Sequence, residues 1–179
     1  MDTNALQAII NSKAAGLSVD VYVVICRNSD AGSQIDAVFS AIDSSLFDYV
    51  WIKVEPNTTP GCSWSGYPEL ENCAFLAATV GQAQSYGKTV GVFSTANIWK
   101  QFFGSSCDIG VSGIPLWYAD YTTTGHVDST VAYDDFVPFG GWTSPSLKQV
   151  GGNVTITPLC GHSKWHSYID QLYWQAGPV

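Results

Sequence analysis

The sequence predicts an α/β domain built on a parallel sheet. Three observations carry that prediction. Strand-like and helix-like patterns alternate along the chain with short connections, the mark of parallel βα units. The strand candidates are short runs rich in β-branched and aromatic residues, as buried strands require. The 179 residues include 46% hydrophobic side chains, with no internal repeat and no linker, which suits one domain over 1–179 with a sizeable core.

The elements follow in order. Residues 2–15 have helical character, with Asp2 or Thr3 as cap and Gly16 as stop. LSVDVYVVI (17–25) is β-branched and apolar and is expected to be a buried strand. Residues 31–45 place Ile35, Val38, Phe39 and Ile42 at helical spacing. A strand is expected at 49–55 and a helix at about 70–86, ending at Gly87. A strand at 88–94, a helix around 95–103 and a strand at 114–121 come next. Two late strands are expected near 146–150 and 167–174, and the acidic stretch 127–136 is expected to be a loop. An α/β chain ordinarily opens on a strand, whereas this one opens on a helix. A parallel sheet that starts so is expected to lack its first strand.

Composition narrows the function classes. Charged residues make up 12% of the chain, about half the usual share, and the formal charge is −8. Seven Trp and nine Tyr accompany abundant Gly, Ser and Thr, a composition suited to an extracellular or glycan-facing protein. The acidity gives no support for a nucleic-acid partner, and no basic face suggests a membrane surface. No apolar run approaches the roughly 18 residues of a membrane span. The first residues, MDTNALQAII, show no signal-peptide pattern. Five cysteines lack CxxC spacing, and only Cys160 has a histidine close by, His162, so no metal site is expected. Placement in turn-rich connections suggests Cys62–Cys73 and Cys107–Cys160 disulfides, with Cys26 free, in an oxidising compartment. Asn57-Thr58-Thr59 and Asn153-Val154-Thr155 match the glycosylation acceptor pattern.

The chemistry centres on YVWIKVEPN (49–57). Residues two apart on a strand share a face, so Trp51, Lys53 and Glu55 point one way and Ile52 and Val54 the other. If Ile52 and Val54 pack under helices, Glu55 stands at the carboxyl mouth of the sheet, where α/β folds build their sites. The chain has three glutamates, and Glu55 is the one at a strand end. A plain Lys53–Glu55 ion pair on an exposed face is the competing explanation. His126, His162 and His166 are scattered, and Ser94 and Ser144 show no accompanying His and Asp pattern for a serine hydrolase.

The whole run of motifs resembles a known family. SVDVYVVIC (18–26), YVWIKVEPN, CSWSGYPELENCAFL (62–76), YGKTVGVFST (86–95), IPLWYADY (114–121), FGGWTSPSLKQ (139–149), LCG (159–161) and IDQLYW (169–174) occur in this order. Together they resemble the eukaryotic branch of glycoside hydrolase family 25, the muramidase-type lysozymes, over about residues 5–174. PLWYA followed by FGGW and a Lys-Gln pair is the most specific part.

That resemblance implies a TIM-like (β/α) barrel, here incomplete at the N-terminus. It also implies hydrolysis of β-1,4 bonds between N-acetylmuramic acid and N-acetylglucosamine in peptidoglycan, with no cofactor. Glu55 matches the family's acid/base glutamate, and Lys53 stands where the family has an aspartate. Asp170 matches a late supporting carboxylate. Phe93 replaces a usual tyrosine, and Trp117 and Tyr118 match the strand that lines the sugar groove. Trp142 is a further groove candidate, as is Tyr173. The family's opening strand, with another site aspartate, has no counterpart in 1–179. Glycoside cleavage builds positive charge on the sugar. A lysine beside it opposes that charge and pairs with the glutamate meant to deliver a proton. The resemblance thus leaves a glycosidase homologue whose activity is in doubt. The alternatives are an inactive glycan-binding protein that keeps the aromatic groove, or a truncated gene product. Its expected partner is peptidoglycan or a chitin-like oligosaccharide, bound by a monomer with no nucleic acid or membrane partner. Its expected location is secreted or lysosomal/phagosomal.

Overall fold

The computed structural model describes residues 2–110, 113–119, 132–156 and 167–174; for 152–156 and 167–174 the backbone alone is described. Among the described residues eleven elements follow in order, alternating between strand and helix as far as β4: α1 Ala5–Ala14, β1 Val21–Val24, α2 Ala31–Ala41, a 3-10 turn Ser44–Leu46, β2 Tyr49–Lys53, α3 Glu69–Ser85, β3 Thr89–Ser94, α4 Ala96–Phe103, β4 Leu116–Ala119, β5 Leu147–Ile156 and β6 Ser167–Trp174. The strands form one sheet in chain order, β1-β2-β3-β4-β5-β6, parallel from β1 to β5. β6 returns antiparallel to β5. The reason is length: ten residues, 157–166, connect them, and a parallel crossover needs a dozen or more. Among the described residues the sheet is open, with β1 and β6 at its edges.

Local signals set the helix ends. Asp30 caps α2 by accepting from Ser33 N at 2.7 Å, and Thr95 caps α4 by accepting from Ile98 N at 3.1 Å. The cap of α1 falls at Asn4, whose N–H donates to Asp2 Oδ1 at 2.8 Å, so Asp2 acts one step outside the helix rather than as its cap. Gly16, at φ 77°, ends the turn that follows α1.

One sheet face packs under the helices. Val50, Ile52 and Val54 from β2 and its end, Val90 and Val92 from β3 and Leu116 from β4 meet Ile35 of α2, Leu76 and Val80 of α3 and Phe102 and Phe103 of α4. Buried Asn72 of α3 ties this layer together. Its amide nitrogen donates to Trp64 O and Phe102 O, and its oxygen accepts from Arg27 Nε at 2.9 Å. Arg27 in turn lies over the rings of Tyr67 and Phe75, at 4.1 and 4.4 Å.

The disulfides differ from the sequence expectation. They join Cys26 to Cys62 and Cys73 to Cys107. Cys62 and Cys73 bracket a loop in sequence, but parallel pairing of β1 and β2 brings the segment after β1 against the loop after β2. Arg27 N donates to Cys62 O there, which places Cys26 beside Cys62. Cys73 faces inward from α3 and meets Cys107, just beyond α4; both are buried. Cys26 is therefore not free, and Cys160 lies outside the described residues.

Candidate functional site

The opposite sheet face is the place to look for chemistry, because strand periodicity sends every second side chain there. It carries Tyr22 and Val24 from β1, Tyr49, Trp51 and Lys53 from β2, Gly91 and Phe93 from β3, Trp117 and Ala119 from β4, and Leu147 and Gln149 from β5. Asp20 and Glu55 extend this face beyond β1 and β2. Trp51, Phe93, Trp117 and Leu147 form a second, smaller apolar cluster, with Tyr49 and Ala119 against it. Trp51 anchors it. Its ring lies within reach of Gly91, stacks on Tyr49 at 5.6 Å and meets Trp117 edge-on at 5.8 Å. Its Nε1 donates to Asp20 Oδ2 at 3.1 Å. A hollow of about 430 Å³ opens here, lined by Ser18, Asp20, Tyr22, Trp51, Trp117 and Leu147.

Lys53 and Glu55 stand at the carboxyl end of this face. Their Nζ and Oε2 atoms are 3.3 Å apart, and the two side chains are 14% and 32% exposed. The Lys53 ammonium also lies 5.0 Å from the Tyr22 ring centre and 5.1 Å from that of Phe93. The pair expected from YVWIKVEPN is present, in an aromatic setting rather than on a bare surface.

The structure sorts the remaining candidates by face. Phe93 and Trp117 lie with Lys53, and their rings meet at 4.9 Å. Tyr118 does not. It points to the helix side, is 5% exposed and donates its hydroxyl to Asp135 Oδ1 at 2.7 Å. Trp142 is also a helix-side residue; it packs on Trp99 and donates Nε1 to Ile114 O at 2.8 Å. Adjacent strand residues face opposite ways, so Trp117 and Tyr118 could not share one groove wall. Asp170 lies on β6, where its backbone alone is described, as is that of Tyr173. His126, His162 and His166 fall outside the described residues, whereas Ser94 is fully buried.

Several residues of this face were not singled out in the sequence. Asp20 and Tyr22 sit in a run expected to be a buried strand, yet Tyr22 is 58% exposed and Val24 41%. The alternation Asp20, Tyr22, Val24 was the available signal. Gln149 is buried on β5, and its Oε1 has no hydrogen-bond partner among the described residues; the same holds for Trp117 Nε1 and, on the helix side, Trp99 Nε1. No residue pattern announces such atoms.

Beneath β4 and β5, Lys148 is fully buried and paired with Asp135. Burial works to raise the Asp135 carboxyl, but hydrogen bonds from Lys148 and Tyr118 outweigh it and hold the group below the usual carboxylate range. The Asn57 acceptor site is engaged within the fold: Nδ2 donates to Ile25 O at 3.3 Å and Oδ1 accepts from Thr59 N. Among the described residues no three His, Cys, Asp or Glu side chains gather as metal ligands, and no helix is long and apolar enough to cross a membrane.

Comparison with known proteins fits this geometry. The family model described as Lysozyme-like protein 1 matches residues 1–150. Counting factor 45-1 of Dictyostelium discoideum is 36% identical over 155 residues, 82% of this chain and 48% of that protein. Probable GH family 25 lysozyme 5 of the same organism is 32% identical over 180 residues, 98% of this chain and 74% of that protein. The chain thus spans about half to three quarters of the length of these relatives. Among solved structures, a family 25 lysozyme from Aspergillus fumigatus superposes with a TM-score of 0.71 at 17% identity, over 98% of this chain and 77% of that one. A muramidase from Acremonium alcalophilum gives a TM-score of 0.72 at 15% identity, over 98% and 76%. The family-model match over residues 1–150 and the 32% identity to a relative matched along 98% of this chain show that the chain belongs to the muramidase-type lysozymes of glycoside hydrolase family 25.

Proposed function

We propose that the inner sheet face binds a β-1,4-linked amino-sugar glycan of the peptidoglycan or chitin-like type, and that this chain hydrolyses it little or not at all. The observation that carries this reading is the 3.3 Å pair between Lys53 and Glu55. Glu55 has the position of a general acid at the mouth of the sheet, and Asp170 of β6 is the supporting carboxylate. Trp117 and Phe93, nearly buried with Trp51 and Leu147, form the apolar floor beneath this face. Cleavage develops positive charge at the sugar, and an ammonium in this place opposes it where a carboxylate would stabilise it.

The proposal extends to the architecture. A closed TIM-like barrel would need further strands against the outer edge of β1. A groove of about 600 Å³ lies there between α1 and α2, lined by Ala5, Ile9, Val21, Val23, Val38 and Ile42 among others. The two disulfides fit a secreted or lysosomal/phagosomal setting, in which the chain acts as a monomer.

Titration of intrinsic fluorescence with N-acetylglucosamine oligomers tests the binding claim. The oligomers are expected to quench it. Trp117→Ala should weaken binding roughly two- to tenfold, the range for loss of one aromatic contact. Unchanged affinity in that variant contradicts the assignment.

A further inference from the structure

We propose that the Cys26–Cys62 disulfide is a redox latch on the loop that carries Glu55, opened by a small dithiol while Cys73–Cys107 stays closed. The latch concerns loop 55–62 itself and holds whatever the cleft binds. Access is the first observation. Cys73 and Cys107 are 7% and 6% exposed, inside the main core, so a reagent reaches them only when that core opens. Cys26 and Cys62 are half-buried, and their neighbours Asn28, Pro60 and Gly61 are exposed. Disulfide exchange needs a thiolate to reach a bridge sulfur, so the two bridges differ in what a reductant can attack.

The second observation is what holds the loop. It leaves β2 at Val54, whose N–H donates to Phe93 O at 3.0 Å. Beyond that point, among the described residues, its hydrogen bonds to other segments end on 25–27. Asn57 Nδ2 donates to Ile25 O at 3.3 Å, and Cys62 O accepts from Arg27 N at 3.3 Å. The Lys53–Glu55 ion pair adds a contact to β2. Thr59 N–H donates to Asn57 Oδ1, and Cys62 N–H donates to Thr59 O, which ties the loop only to itself. Thr58, Thr59, Pro60 and Gly61 are exposed. Two long hydrogen bonds are a weak hold on such a loop, and the covalent bridge is the strong one. The other end of the bridge is fixed independently. Gln34 of α2 accepts from Cys26 N at 2.8 Å and donates to Cys26 O at 3.0 Å. Opening the bridge therefore leaves 25–27 in place and frees 55–62, so Glu55 loses its fixed position at the mouth of the sheet.

The chemistry is ordinary exchange. One thiolate of the dithiol attacks a bridge sulfur and releases the other cysteine as a thiolate. The second thiol of the reagent then displaces the first cysteine. The reagent leaves as a cyclic disulfide, oxidised by two electrons, and Cys26 and Cys62 remain as thiols.

Graded dithiothreitol under native conditions, followed by alkylation and peptide mapping, tests the order of opening. Cys26 and Cys62 should be alkylated at least about tenfold faster than Cys73 and Cys107. Amide exchange followed by NMR tests the consequence. In the reduced protein the Arg27, Thr59 and Cys62 amides should exchange about tenfold faster or more, and reoxidation should restore them. The Val92 and Trp99 amides, bonded to Pro115 O and Thr95 O, should keep their protection. The double variant Cys26→Ser with Cys62→Ser should show the same pattern without reductant; if it does not fold, the reduced native chain carries the same readout. Bridges that open together, or Cys73–Cys107 first, overturn the inference. Unchanged exchange at Thr59 and Cys62 after reduction overturns it, as does an equal rise at Val92 and Trp99, which would make the bridge a support of the whole fold.

Discussion

Gly91→Ala probes how the inner face is packed. Gly91 lies in the middle of β3, opposite Trp51. A Cβ built there falls 2.3 Å from Cζ3 and 2.4 Å from Cε3 of the Trp51 ring, whereas ordinary contact begins at 3.4 Å. The ring must therefore retreat by about 1 Å, and it has little room, because Trp51 is 2% exposed and wedged against Tyr49 and Trp117. Retreat also strains the 3.1 Å hydrogen bond to Asp20. Overpacking of this kind costs about 1–3 kcal/mol, and loss of the hydrogen bond adds about 1 kcal/mol. In a chain of this size the sum corresponds to a fall in melting temperature of roughly 5–15 °C. Alanine suits a strand better than glycine does, so backbone preference alone predicts the opposite sign. Denaturant melts of Gly91→Ala, Trp51→Phe and the double variant are the assay. The clashing atoms belong to the six-membered ring of the indole, and phenylalanine occupies less of that space. The double variant should therefore recover at least half of the loss, a coupling that separate sites do not show. A loss below about 0.5 kcal/mol in Gly91→Ala, or strict additivity, refutes this packing.

Two further predictions concern the scaffold. Peptide mapping without reduction should return Cys26 linked to Cys62 and Cys73 linked to Cys107, each bridge contributing about 2–4 kcal/mol; a Cys62–Cys73 peptide contradicts the described pairing. Asp135→Asn should destabilise the protein by about 2 kcal/mol at neutral pH, because Lys148 is buried and loses its carboxylate. The Asp135 carboxyl is held low in the folded state, so its contribution is present above the ordinary carboxylate range and is lost as pH falls through the folded value. The gap between native and variant stability should therefore begin to narrow as pH falls through the ordinary carboxylate range and close only below the folded value; a gap that stays constant throughout acid titration contradicts the pairing.

The alternation of elements was legible in the sequence because it depends on local periodicity. Ile52 and Val54 announce a helix-covered face, and Lys53 and Glu55 announce the other. What needed the structure was information held between elements. The Cys26–Cys62 bridge follows from the side-by-side pairing of β1 and β2, which no spacing within one segment reveals. The antiparallel turn of β6 follows from the short connection ahead of it. Tyr118 and Trp142 look like groove residues in PLWYA and FGGW, but alternation places Tyr118 over Asp135, and Trp142 packs under Trp99. Tyr22 was hidden by its β-branched neighbours, which made an edge strand read as a buried one. At the candidate site the sequence supplied Glu55, Lys53, Phe93 and Trp117. The polar atoms of Trp117 and Gln149 that lack partners among the described residues arise from packing and had no sequence signal.

The central claim is that Lys53, paired with Glu55, disables an otherwise recognisable lysozyme site. Loss of turbidity in a suspension of bacterial cell walls tests it most directly, with the chain as given and its Glu55→Gln variant compared at equal concentration. The account predicts no clearing above background for either protein. Robust clearing by the unmodified chain, abolished in Glu55→Gln, would contradict it and establish Glu55 as a working acid beside a lysine.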